Sequence, residues 1–114
     1  MTLRIAIATT DGIYINQHFG HCQRWTIAEA EDDGSYRFME QRNPVVLDQV
    51  HNEEAFAAIV GLLSDCTAIL TERVGPRVDA ELQRAGLSVF SYPGRIDTAI
   101  PKLIKYFKSQ KREV

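Results

Sequence analysis

Apolar and polar positions along this chain follow two rhythms. Residues 3–9, Leu-Arg-Ile-Ala-Ile-Ala-Thr, are apolar at nearly every position, which predicts a first strand buried on both faces. Arg24 to Glu31 alternates, with Trp25 and Ile27 on one face and Thr26, Ala28 and Ala30 on the other. Asp32-Asp33-Gly34-Ser35 is a turn, and Tyr36 to Arg42 is its antiparallel return strand, with Tyr36, Phe38 and Glu40 on one face and Asn43-Pro44 as the break. The rhythm then lengthens. Asn52 is a candidate N-cap, Glu53 and Glu54 suit a first helical turn, and Phe56, Ile59, Val60 and Leu63 fall on one helical face.

Thr67-Ala68-Ile69-Leu70-Thr71 reads as a short buried strand, and Pro76 opens a second helix with Val78, Leu82 and Ala85 inward and Gly86 at its end. Leu87 to Tyr92 is a last strand. Pro93-Gly94 turns the chain into a final helix, capped by Asp97, with Ile100, Leu103, Ile104 and Phe107 on its inner face. The predicted order is β-β-β-α-β-α-β-α. A strand-helix-strand crossover makes the last two strands parallel, and the hairpin makes the sheet mixed. The expectation is an α/β fold with a mixed five-stranded sheet and helices on both faces, in one domain spanning residues 1–114.

Composition narrows the function classes. A net charge of −2 offers no general attraction to nucleic acid or anionic lipid. The basic run Lys102, Lys105, Lys108, Lys111 and Arg112 has the spacing of the wet face of a terminal helix. The start of the chain is strand-like, without the basic and apolar regions of an ordinary signal peptide, and no apolar run approaches the ~20 residues of a membrane span. The expectation is a cytoplasmic protein whose Cys22 and Cys66 are reduced.

The chemistry is concentrated in Asn16-Gln17-His18-Phe19-Gly20-His21-Cys22, which holds two of the 3 histidines and one of the 2 cysteines. Imidazole and thiolate suit iron, zinc, copper and iron–sulfur clusters. The segment follows the first strand, so it leaves from the carboxyl end of a sheet strand, where sites of α/β proteins gather. Gly20 would let the backbone approach a bulky ligand. Each residue also has a plainer reading: His18 and His21 can hydrogen-bond loop carbonyls, Cys22 can be a small buried hydrophobe, and Phe19 and Trp25 can be core or pocket lining. Cys66, ahead of a buried strand, reads as structural, and His51 as a solvated loop residue.

The strand, the Asp11-Gly12 loop, Asn16-x-His18-Phe19-Gly20-His21, the aromatic Trp25 and the alternating strand after it resemble the dinitrogenase iron–molybdenum cofactor biosynthesis family, of the NifX and NifB C-terminal-domain type. Cys66 to Leu70, Gly75-Pro76, Arg84-Ala85-Gly86 and Val89 follow the family's second half, so the resemblance covers nearly the whole chain. It implies a ribonuclease-H-like fold and binding of an iron–sulfur or molybdenum–iron–sulfur cluster, with His18, His21 and Cys22 toward the metal and Asn16, Phe19, Gly20 and Arg73 around the cluster. It also implies a place in nitrogen fixation, with donor and acceptor proteins of cofactor biosynthesis as partners, in a monomer or weak homodimer. Glu72-Arg73-Val74 departs from the small or apolar residues usual in the family; Arg73 could pair with an anionic cluster or with a surface carboxylate.

The expected role is a carrier or scaffold without turnover. A permanent iron–sulfur centre normally has four cysteines, and a dock with fewer ligands suits cargo that must be released. Two rivals stand beside it. One is a two-metal nuclease using Asp11 and Glu72 at strand ends, for which no further acidic ligand is evident. The other is a zinc site made by His18, His21 and a cysteine.

Overall fold

The computed structural model of the chain describes residues 2–22, 24–43 and 53–111, without the side chains of residues 21, 53–55 and 111. Strand β1 (Leu3–Ala8) is followed by a two-residue strand β2 (Tyr14–Ile15) and a 3-10 turn (Phe19–His21). Then come β3 (Trp25–Ala30), β4 (Tyr36–Arg42), helix α1 (Glu53–Leu62), β5 (Ala68–Thr71), helix α2 (Pro76–Arg84), β6 (Ser88–Ser91), β7 (Gly94–Arg95) and helix α3 (Ile96–Lys111). The five longer strands form one mixed sheet in the order β4-β3-β1-β5-β6, and β2 pairs with β7 in a separate ribbon. β1 runs antiparallel to β3 and parallel to β5. β5 and β6 are parallel, as a crossover through α2 requires.

β1 is apolar throughout because both its faces are covered. Leu3, Ile5 and Ile7 pack with Ala28, Ala30, Ala68 and Leu70 under Ile96, Ala99, Ile100, Leu103 and Ile104 of α3. Ala6 and Ala8 pack on the other face with Trp25, Ile27, Ile69 and Val89, under Leu63 beyond α1, Leu82 of α2 and the loop residues Phe19 and Cys22. One helix therefore closes one face, while two helices and the histidine-bearing turn share the other. The alternation expected for β3 holds, with Trp25 and Ile27 on the second of these faces and Ala28 and Ala30 on the first.

Three local expectations are corrected, and one element is added. Glu40 does not share a face with Tyr36 and Phe38: a bulge moves the register, so that Phe38 opposes Ala28 while Glu40 opposes Ile27, and the extra residue inverts the alternation. Ala85 is exposed and forms the C-cap of α2 instead of an inner position; Gly86, at φ +87°, then ends the helix. Asp97 does not cap α3, which already begins at Ile96; its carboxylate takes two hydrogen bonds from Arg95 at 3.0 and 2.9 Å. The ribbon was not expected either, being too short to produce a periodic signal: Tyr14 opposes Arg95, Ile15 opposes Gly94, and Ile15 is buried against α3. Asn52, His51 and Arg112 lie outside the described residues; Lys102, Lys105 and Lys108 are exposed, as a wet helical face requires.

β4 is one edge strand of the sheet, and among the described residues nothing pairs with its outer side; Arg37 to Gln41 are exposed. It is tied back at its end by Arg42, whose guanidinium donates to Asp65 at 2.7 and 2.9 Å and to the Leu62 carbonyl at 2.9 Å. Among the described residues no helix is long and apolar enough to cross a membrane.

Candidate functional site

After β1 the chain makes a compact loop and returns to the sheet. Asp11 organises the outward leg: its Oδ1 accepts the backbone N–H groups of Ile13 and Tyr14, each at 2.9 Å, and the Thr9 hydroxyl at 3.2 Å. The Tyr14 and Ile13 N–H bonds hold the Asp11 carboxyl below its ordinary range. Gly12 takes a positive φ of 73°, which a side chain would strain. Asn16 clamps the return leg, accepting the Thr10 N–H at 3.0 Å and donating to the Thr10 hydroxyl at 2.8 Å.

The return leg then takes the place that β1 has vacated. β1 runs beside β5 with Ile7 opposite Leu70, and the parallel pairing resumes with His18 opposite Arg73. Asn16 and Gln17 both donate backbone N–H groups to the Ala8 carbonyl, Glu72 N–H donates to the Gln17 carbonyl at 2.9 Å, and Phe19 N–H donates to the Arg73 carbonyl at 3.0 Å. Backbone bonds thus fix the sequence position of His18 on the sheet edge. Its imidazole Nε2 lies 3.1 Å from Glu72 Oε1.

Of the residues singled out in the sequence, the fold brings together His18, Glu72 and Arg73 at the carboxyl ends of the central parallel strands. Arg73 is exposed, and among the described residues no carboxylate reaches it. Gly20 is exposed at the turn; the His21 side chain is outside the described residues. Phe19 is buried, with its ring 5.5 Å from that of Trp25. Cys22 is also buried, its Sγ donating to the Arg24 carbonyl at 3.2 Å, and burial pushes its thiol up to about 11. The thiol therefore faces the core while His18 faces the edge. Cys66 is buried as expected, far along the face from the turn, and its thiol is likewise pushed up to about 11, chiefly by burial.

The rival sites find little support in this geometry. Asp11 has its carboxylate engaged by loop backbone, Glu72 is beside an imidazole, and among the described residues no group of three or more His, Cys, Asp or Glu side chains gathers to hold a metal ion. Two polar atoms gave no signal in the sequence. Trp25 Nε1 and Thr71 Oγ1 are buried and have no hydrogen-bond partner among the described residues.

The sequence model described as dinitrogenase iron-molybdenum cofactor matches residues 1–106. The chain belongs to this family. Curated relatives are FeMo cofactor biosynthesis proteins NifB: that of Azotobacter vinelandii is 33% identical over 91 residues, covering 73% of this chain and 17% of the relative. That of Frankia alni is 30% identical over 107 residues, covering 87% of this chain and 20% of the relative. The chain thus spans about a fifth of the length of these relatives. Among solved structures, the crystal structure of PH0822 superposes with a TM-score of 0.65 at 21% identity, covering 90% of this chain and 91% of the other. The mj0327 protein of Methanocaldococcus jannaschii gives a TM-score of 0.56 at 14% identity, covering 92% and 90%. These two show a shared α/β fold.

Proposed function

We propose that this domain binds a preformed iron–sulfur or molybdenum–iron–sulfur cluster during metallocofactor biosynthesis, holds it as cargo, and releases it to an acceptor protein without chemical turnover. Family membership supports the pathway, and one observation carries the site: His18 is fixed by backbone pairing at the sheet edge, with Glu72 on its imidazole and Arg73 exposed beside it. A carboxylate that accepts from Nε2–H makes Nδ1 the basic nitrogen and raises its strength as a ligand. A guanidinium next to it complements the negative charge of a metal–sulfide cargo. His21 and Cys22, on the same turn, are the further candidate ligands; Cys22 reaches an edge-bound cluster only if its sulfur leaves the core.

The five-strand order, with its antiparallel hairpin at one edge and parallel strands at the other, goes with a ribonuclease-H-like scaffold on this reading. Reduced cysteines go with a cytoplasmic setting, and donor and acceptor proteins of nitrogen-fixation cofactor assembly are the expected partners. The test is anaerobic titration of an iron–sulfur or iron–molybdenum–sulfur cluster into the wild-type domain and into His18→Ala, His21→Ala and Cys22→Ala, read by metal and sulfide content after gel filtration. Binding that weakens at least tenfold in His18→Ala supports the reading. Equal binding by all four proteins would overturn it.

A further inference from the structure

On the α3 side of the sheet, the loop after β1 and the bulged strand β4 leave a cleft of about 510 Å³ between them. That volume is within the roughly 300–1,000 Å³ of small-molecule sites. Residues 9–12 form one wall and residues 38–41 the other; β3 lies between β1 and β4, so its Thr26 forms the floor. Thr26 alternates onto the face of Ala28 and Ala30, Gln41 stands opposite Thr26, and Phe38 stands opposite Ala28. Met39 is the inserted residue of the bulge, and bulges recur beside functional sites, where they re-aim a side chain. Gly12 brings the loop against the Phe38 ring, where a Cβ would stand 3.6 Å from Cε2, and there the two walls meet.

What this cleft offers a guest is acceptors. Thr26 is 5% exposed, and among the described residues no hydrogen bond engages its hydroxyl. Native proteins pair nearly all such groups, so this one is set for a partner from outside the fold. The backbone donors of the loop wall are spent: Thr10 N–H goes to Asn16 at 3.0 Å, and Asp11 and Gly12 N–H go to the Thr9 hydroxyl at 3.3 and 3.0 Å. Asp11 commits Oδ1 to the loop, while nothing among the described residues engages its Oδ2. The same N–H bonds hold its carboxyl below the ordinary range, so it is charged at neutral pH. None of the lining residues is Lys, Arg or His. The mouth is apolar: Phe38 and Met39, with Ile13 and Tyr14 that continue the loop, are four of the five large apolar side chains exposed among the described residues. Apolar side chains gathered beside a cleft and rimmed by polar groups mark a ligand site.

We propose that this cleft binds a primary ammonium or a guanidinium carried on a short apolar stem, with the stem on Phe38 and Met39 and the cation donating to Asp11 Oδ2 and Thr26 Oγ1. Such a cation has donors and no acceptor, which suits walls whose own donors are used up. An anion would meet the Asp11 charge, and a neutral alcohol would forgo the stronger charge-assisted bond. A free amine and a lysine or arginine side chain of another protein share this chemistry. The site stands apart from the cargo reading: it opens on the α3 face, while Phe19 and Cys22 of the histidine turn pack on the opposite face.

The probes are 2-phenylethylamine, 2-phenylethanol and 3-phenylpropanoate, which share a stem and differ in charge, titrated into the full chain and followed by backbone amide NMR shifts. The amine should shift the amides of residues 9–12, 26 and 38–41 and bind at least tenfold more tightly than the alcohol, with no binding by the carboxylate. Thr26→Val and Asp11→Asn should each weaken the amine about tenfold, the loss expected for a hydrogen bond to a charged group. Asp11→Asn keeps an oxygen for the Ile13 and Tyr14 N–H groups. Gln41→Lys, on an exposed strand position, sets a cation opposite Thr26 without touching the loop and should abolish binding of the amine. A blocked tripeptide with one lysine between apolar residues separates the sources. Tighter binding than the free amine at the same amides assigns the cation to another protein's chain, and weaker binding assigns it to a small molecule. Three probes that bind alike, amine shifts scattered away from the cleft or absent, or undiminished binding in Thr26→Val and Gln41→Lys would each overturn the inference.

Discussion

His18 Nε2 and Glu72 Oε1 lie 3.1 Å apart, with the two side chains 45% and 39% exposed. Two half-exposed partners contribute little to folding, about 0–1 kcal/mol. Their value is orientation, since a carboxylate on one nitrogen fixes the ring and the tautomer. Glu72→Gln should therefore leave the melting temperature within a few degrees of wild type and weaken cluster binding about 10–100-fold. Paired thermal melts and anaerobic titrations check it; a large stability loss with unchanged binding would make the contact purely structural.

The two thiols should be slow. Both are buried and pushed up to about 11, against about 8.5 for a free cysteine, so the thiolate fraction at pH 8 falls by roughly two orders of magnitude. An aromatic disulfide reagent should react with neither in the folded protein on the timescale of a free thiol, and with both in denaturant. Fast modification of Cys22 in the native state would show that the turn is open at rest.

Asp65 predicts a pH dependence. Hydrogen bonds from Arg42 first, and from Arg4 at 2.9 Å, hold its carboxyl well below the usual carboxylate range. A carboxyl depressed on folding stabilises above its unfolded pKa, near 3.9, and loses that contribution as pH falls through the folded value. Asp65→Asn should thus cost about 1 kcal/mol at pH 7, a loss discounted for the half-exposed carboxylate. The gap between the variant and wild type should shrink steadily below about pH 4. Melts from pH 3 to pH 7 measure it, and a gap independent of pH would refute the account.

Ile100 is 0% exposed on the inner side of α3, the single helix that closes that face of the sheet. Ile100→Ala should cost about 2–5 kcal/mol by chemical denaturation, a large share of the roughly 5–15 kcal/mol available to a domain. A loss under about 1 kcal/mol would mean that α3 re-packs over the cavity.

The strands and helix faces were legible because burial imposes a period on them: Trp25 and Ile27 against Ala28 and Ala30, or Ile100 with Leu103, Ile104 and Phe107, can be read from spacing alone. Glu40 was misplaced because one inserted residue inverts the rhythm and leaves no compositional mark. Asp97 looked like a cap because its residue type suits one, yet Arg95 captures its carboxylate. The histidine segment was legible as chemistry and as the loop after β1. Its return beside Arg73 was not, since that pairing depends on backbone bonds between residues 55 apart. Trp25 Nε1 and Thr71 Oγ1 could not be read at all; a tryptophan and a threonine in strands are ordinary, and only the missing partners mark them.

The edge strand β4 has a consequence of its own. An edge strand can pair with a strand of another chain. Here the edge is bent by its bulge and set with Arg37, Glu40 and Arg42 in alternating sign. Those features make copies of the chain poor templates for one another. On the cargo reading proposed above, edge-to-edge pairing would then compete little with contacts made at the His18 rim.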